Sequence, residues 1–307
     1  MMRPLRAIAT VGVLLLVGAC GSAREPAATT ATPGGAPVLA ARDLLGDALW
    51  DDGRAEYSTY RGTMPRYGKP RPLSARIIIV KEDMDIATRV KVDGAPVAGR
   101  TRSVIKLNYV QDFPTGTYAY HQMSSTFFNR STGLLEKLAM SSTEGCGITY
   151  VEVLPAASVW RHVSHSYWAG EGDRDLSLPT RSDRPTLAWD GLALWLRRLD
   201  LARAQSFAVD LLPGQVSGRV RATALVPATI EVTGKVDDRG WPVTVRVTAV
   251  PAGDQPESVD RYWFEAAWPH GLVRLERADG AVLERAKTTR LAYWNETDPG
   301  DEALVEP

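Results

Sequence analysis

The stretch 258–294, SVDRYWFEAAWPHGLVRLERADGAVLERAKTTRLAYW, decides the fold class. It divides into three runs, 258–267, 272–277 and 282–294, at Pro269-His270-Gly271 and at Asp279-Gly280. Runs of aromatic and aliphatic residues punctuated by Gly, Pro and Asp read as strands joined by tight turns. The same rhythm runs back through 206–212, 216–225, 229–235 and 243–250, with turns at Pro213-Gly214, 237–240 and 251–256. It continues through 75–80, 87–92, 103–110, 117–128, 134–142, 148–153 and 159–167. The polar stretch 170–185, with Gly172, Pro179 and Pro185, reads as a loop.

Two segments break the β rhythm. In 39–52, Leu44, Leu45, Ala48 and Leu49 recur at helical spacing among four aspartates, and Gly53 ends the run. In 187–204, Trp189, Leu192, Leu196 and Leu199 form one stripe at steps of three and four. Leu194 and Trp195 lie off that stripe, so Trp189 is expected in the core and Trp195 on a side facing a ligand or partner. Arg197 and Arg198 sit where positive charge suits a helix C-terminus. The predicted fold is mostly β: an antiparallel sheet forming an open or barrel-like domain over 39–296, with two short helices. The acidic residues 297–307 read as a mobile tail.

The N-terminal end carries a different signal. Arg3 and Arg6 precede an apolar run from Ala7 to Val17, and Val17-Gly18-Ala19 stand directly before Cys20. The run is shorter than the roughly 20 residues that span a bilayer, and the order is that of a secretory signal. It resembles a bacterial lipoprotein signal with its lipobox. The resemblance implies cleavage after residue 19 and a diacylglyceryl group on Cys20. Several acyl chains, at about 0.8 kcal/mol per buried methylene, would then hold the chain at a membrane. By the same resemblance, Gly21 in place of Asp implies the outer membrane, periplasmic face, in a diderm host. Residues 20–38, rich in Ala, Thr, Pro and Gly, read as a tether without a fixed fold.

Composition narrows the classes. Lys plus Arg and Asp plus Glu are 36 each, and the signal carries only two arginines, so the mature chain is near neutral. That balance gives no reason to expect nucleic acid. With Cys20 lipidated, Cys146 has no partner for a disulfide.

Val226-Pro227-Ala228-Thr229, Tyr262-Trp263-Phe264-Glu265, Trp268-Pro269-His270-Gly271-Leu272-Val273 and Asp279-Gly280 resemble the closing strands of bacterial envelope proteins of the DUF3108-like group. In the first half, Leu107-Asn108-Tyr109, 113–118, 124–127 and Glu144-Gly145-Cys146-Gly147 look like lipoproteins that share this set. The resemblance implies a β-rich envelope lipoprotein. Some such relatives carry the label septum formation inhibitor Maf. The Ser- and Arg-rich phosphate-binding start of that nucleotide pyrophosphatase is not found here.

No residue set names a reaction, and no catalytic residue, metal or cofactor is assigned. Cys146 between glycines lacks an adjacent base and reads first as a small buried residue at a turn. His162 and His165, three apart, fall on opposite faces of a strand. Tyr118 and Tyr120 share one strand face with Gln122, and His121 lies on the other. Candidate ligand or partner contacts are Trp195, Tyr118, Tyr120, His121 and Cys146. The expected role is a non-enzymatic binding module for an apolar or amphiphilic envelope molecule or a partner protein. The alternatives are a structural envelope component and, behind it, a thiol-dependent enzyme.

Overall fold

A computed structural model describes residues 34–220, 223–248 and 258–306. The signal, Cys20 and the first part of the tether lie outside the described residues. So do two residues of the predicted strand 216–225, the last two of 243–250 and the turn at 251–256.

The chain opens its sheet with a hairpin. Strands β1 (Ala55–Arg66) and β2 (Lys69–Asp85) pair around Tyr67-Gly68, both with positive φ (53° and 69°). Such two-residue turns match the right-handed twist of the flanking strands. The sequence pattern of β1 is interrupted by Gly62 and Pro65, which is why periodicity alone misses it. Both are accommodated. A Cβ at Gly62 would lie 1.8 Å from the Val282 carbonyl oxygen, so the close strand approach needs glycine. Pro65 stands beyond the last β1 pairing to the far side, where no N–H is required.

The sheet then meanders through β3 (Thr101–Pro114), β4 (Ala119–Asn129), β5 (Leu135–Glu144), β6 (Gly147–Pro155), β7 (Val159–Ser166) and β8 (Gly172–Pro179). A three-residue β9 (Thr186–Ala188) follows, then the helical segment 189–198, whose α1 is Leu192–Trp195. Strands β10 (Gln205–Leu212), β11 (Val226–Val232), β12 (Trp241–Val247), β13 (Ser258–Phe264), β14 (Leu272–Glu276) and β15 (Val282–Leu291) complete the chain. Every pair is antiparallel except β9 with β10.

The fifteen strands form one sheet with β1 paired to β15 in its middle and with β8 and β9 at its two edges. Those edges are consecutive in the chain, joined by residues 180–185, which span at most about 25 Å. A sheet of this width whose edges lie so close must curl almost into a barrel while staying open. Its concave side holds one continuous core, from Ile77, Ile79 and Leu107 to Phe207, Ile230 and Leu283.

Several local readings are corrected. The run 170–185 contains β8: Leu176 and Leu178 face inward while Asp173, Asp175 and Ser177 face out, an edge strand whose charges hid the alternation. Residues 87–92 form no strand: a turn ends at Thr88, and one isolated bridge follows at Lys91. The predicted helix 39–52 reduces to a 3-10 turn, Ala48–Asp51. Asp43 accepts hydrogen bonds from the backbone of Leu45 and Gly46, and Asp47 from that of Leu49, so the aspartates compete with a helix. The predicted helix 187–204 begins later, because Leu187 and Ala188 pair in β9, and ends at extended Leu199, bridged to Leu39.

Both ends of the domain are tied down further than composition suggests. Val38 exchanges hydrogen bonds with the Gln205 side chain (2.9 and 3.1 Å), so the last tether residues form a strap along β10. The tail read as mobile makes a further 3-10 turn, Asp301–Leu304. Lys287 holds it by donating to the Glu306 carbonyl at 2.8 Å. Val305 and Tyr293 cover Ala55, Tyr57, Ile78 and Val80 on the outer face of β1 and β2.

Candidate functional site

The helical segment lies inside the curl. Leu192, Leu194 and Leu196 are fully buried and Trp195 nearly so, against Phe207 with ring centroids 6.3 Å apart. A helix that is apolar all round is internal, so the stripe that set Trp195 apart from the core is overridden. Trp189 is the more exposed of the two tryptophans. Gly191 lets the segment reach the opposite wall, since a Cβ there would lie 2.4 Å from the Phe128 ring.

The next stretch fills the rest of the interior without becoming a strand. Residues 215–218 are buried, and side chains satisfy their backbone. The Asp190 carboxylate accepts from the Gln215 N–H at 2.9 Å, and Thr149 donates to the Gly218 carbonyl at 2.9 Å. Burial pushes the Asp190 carboxyl above its ordinary range. A polar chain continues beside it: Tyr109 donates to Gln111, Gln111 to Gln122 and Gln122 to Ser142 (2.9, 2.6 and 3.0 Å). Buried His162 meets Gln215 at 3.2 Å, whereas His165 is exposed and faces Asp173.

Space remains on the β9 side of the seam between the two sheet edges. A cavity of about 740 Å³ lies there, bounded by the strap, the β4–β5 turn, the 180–185 connection, β9 and the helical segment. Phe128, Leu135, Leu187, Ala188 and Trp195 give it an apolar wall. Leu39 and Leu134, 44% and 67% exposed, also line it. The volume falls within the usual range of small-molecule pockets. Arg198 lines it as well. Its guanidinium occupies the place a Cβ of Gly133 would take, and Gly133 also has φ of +68°. Burial pushes this guanidinium below its ordinary value, with the Asp43 carboxylate acting the other way.

A smaller cleft of about 400 Å³ lies at Trp189, Leu211, Asp260 and Arg277. Its polar groups are largely engaged with one another. Asp260 accepts from the Trp189 indole (2.5 Å) and the Ala278 N–H (2.7 Å), and Arg277 donates to Asp279 at 2.6 Å.

Four of the candidate residues read from sequence, Tyr118, Tyr120, His121 and Cys146, share one rim of the sheet, and Trp195 lies apart from them. Trp195 lines the larger cavity. Tyr120 stands at the other end of β4, eight strand residues or roughly 26 Å from Phe128, and Tyr118 just before the strand. There Tyr120 meets the Tyr67 hydroxyl at 2.8 Å and accepts from Arg66 at 2.7 Å. Burial, then the hydrogen bond to Tyr67, pushes the Tyr120 phenol well above its ordinary value. His121 is exposed and faces outward to Asp112 at 2.6 Å. Cys146 is exposed at the tip between β5 and β6 rather than buried. Tyr118 and Tyr167 pack against the flanking Gly145 and Gly147, which leaves Cys146 itself outward. Sequence reasoning missed Arg198 and the short residues Gly133, Ala188 and Ala208 that leave the cavity open. Arg198 looked like a helix-end charge, and small residues carry no signal of their own.

Comparison of the chain with family models, with curated proteins and with solved structures finds no match.

Proposed function

We propose that this chain is a bacterial lipoprotein held at a membrane through Cys20, outside the cytoplasm. Its β domain acts as a non-enzymatic binding module for an apolar or amphiphilic envelope molecule. The observation that supports this reading is the cavity of about 740 Å³ at the seam of the curled sheet, lined on one side by Phe128, Leu187 and Trp195. The centre of the sheet is filled, so a ligand would sit at the seam rather than in a central channel. The mix of apolar wall with Ser182, Asp183, Arg184 and Arg198 suits an amphiphile better than a hydrocarbon.

The test is mass spectrometry of small molecules released from the purified full chain and from an Ala208→Trp variant, which fills the cavity. An apolar or amphiphilic molecule lost in the variant supports the module. Nothing bound in either would favour a structural envelope component. The anchor is tested separately by fractionation of Cys20→Ala, expected to leave the membrane fraction. Unchanged membrane association would overturn the lipid anchor.

A further inference from the structure

We propose that the seam cavity takes an amphiphile with an anionic head, the head seated on Arg198 and the apolar chain lying along Phe128, Leu135, Leu187 and Trp195. This rests on the binding-module reading and adds the charge of the ligand.

The inference starts from two adjacent arginines. Arg197 is fully buried and spends its guanidinium on a bidentate pair with Glu56 (2.8 and 2.9 Å) and on the Pro269 carbonyl (2.9 Å). Arg198 makes only long contacts, 3.3 Å to the Gly133 carbonyl and 3.5 Å to that of Thr132. Its Nε is buried without a partner, and it forms no ion pair among the described residues. A guanidinium carries five donors in a planar fork suited to carboxylate or phosphate. A half-buried cation with most of that capacity unspent is costly unless something supplies the acceptors.

The surrounding charge points the same way. The cavity lining holds Arg184 and Arg198 against a single carboxylate, Asp183. That carboxylate is already taken: Arg181 donates to both of its oxygens (2.9 and 2.8 Å), and Arg184 stands 3.7 Å away. Arg198, offset only by the Asp43 carboxylate, with which it forms no ion pair among the described residues, is therefore left as the positive centre of the cavity. The guanidinium also lies 5.8 Å from the Trp195 ring centroid. The cation thus borders the apolar wall, as an amphiphile with a charged head and an adjoining chain requires. Carboxylate and phosphate heads share this chemistry, and a free anion shares only the head.

The probes are oleate, oleyl alcohol and inorganic phosphate, each competing with a neutral naphthylamine dye on the full chain carrying Cys20→Ala. Oleate is expected to bind about tenfold or more tightly than oleyl alcohol, as a charge-assisted contact gives. Arg198→Gln should bring that ratio close to one, and Arg198→Lys should keep most of it. The wild-type ratio is a test that needs no variant to fold. Equal affinities in the wild type, or a preference that survives Arg198→Gln, would overturn the anionic head. Displacement by phosphate as strong as by oleate would overturn the amphiphile and leave a free-anion site. Failure of both lipids to bind would overturn the binding module itself, and this inference with it.

Discussion

The two ends of strand β4 show how one curled sheet can be closed at one rim and open at the other. At the Tyr120 end large side chains fill the space. Phe113 stacks on Tyr120 with centroids 4.6 Å apart, and the Arg66 guanidinium lies over the rings of Tyr67 (4.6 Å) and Tyr120 (4.8 Å). At the Phe128 end the facing residues are short, among them Gly133, Ala188 and Ala208, and a cavity remains. Close packing is the ordinary state of a protein interior, so a persistent void lined by both polar and apolar groups is the less expected feature. A cation at each end sharpens the contrast. Neither forms an ion pair among the described residues and the Nε of each is buried without a partner, but Arg66 lies over two aromatic faces and donates to a phenol oxygen at 2.7 Å, whereas Arg198 reaches only two carbonyls at 3.3 and 3.5 Å.

The largest expected effect lies beneath the open end. Arg197→Met leaves Glu56 buried without its partner and should cost about 3–5 kcal/mol in chemical denaturation. Arg198→Gln, one residue on, should change stability by less than about 1 kcal/mol, because its contacts are long and its role is not structural. Equal losses for the two would erase the distinction between the sides of the helical segment. Next comes Trp195→Ala, expected to cost about 3 kcal/mol, because Trp195 is both cavity wall and core. A smaller loss than for Trp189→Ala would restore the stripe that the sequence suggests.

Between the ends, pH probes how dry the interior is. Burial pushes the Tyr109 phenol up to about 12, from an ordinary value of 10.0. Because the folded value is the higher one, its contribution to stability is fully present below pH 10.0 and is lost as pH rises towards about 12. The denaturation midpoint of the wild type should fall through that window, and that of Tyr109→Phe should fall less. Identical pH profiles would show that water reaches this phenol. The smallest effect belongs to the rim of the closed end. Cys146 is exposed, so it should react with a thiol reagent in the folded protein. Cys146→Ser should shift stability by less than about 0.5 kcal/mol. Protection of the thiol until unfolding would mean that the closed end extends over the β5–β6 tip.

The sequence by itself determined that the chain is a β protein. Turn chemistry at Pro213-Gly214, Asp237 to Gly240 and Asp279-Gly280, with aliphatic and aromatic runs between, is local information, because a strand's alternation and a turn's dihedral needs are set within a few residues. It also placed a helix near 187–204, though as one with a partner-facing side rather than as a segment buried inside the curl. It did not show β1, where Gly62 is needed only because β15 approaches, nor β8, whose charges belong to an edge. The pairing of β1 with β15, which brings β8 and β9 to neighbouring edges, is long-range and left no pattern in either strand. The site follows from that closure. Arg197 and Arg198 are the same residue type side by side, and only the curl of the sheet set Glu56 against one and a cavity against the other. Tertiary structure decided it because pairing and burial depend on what arrives from distant parts of the chain, which no local period records.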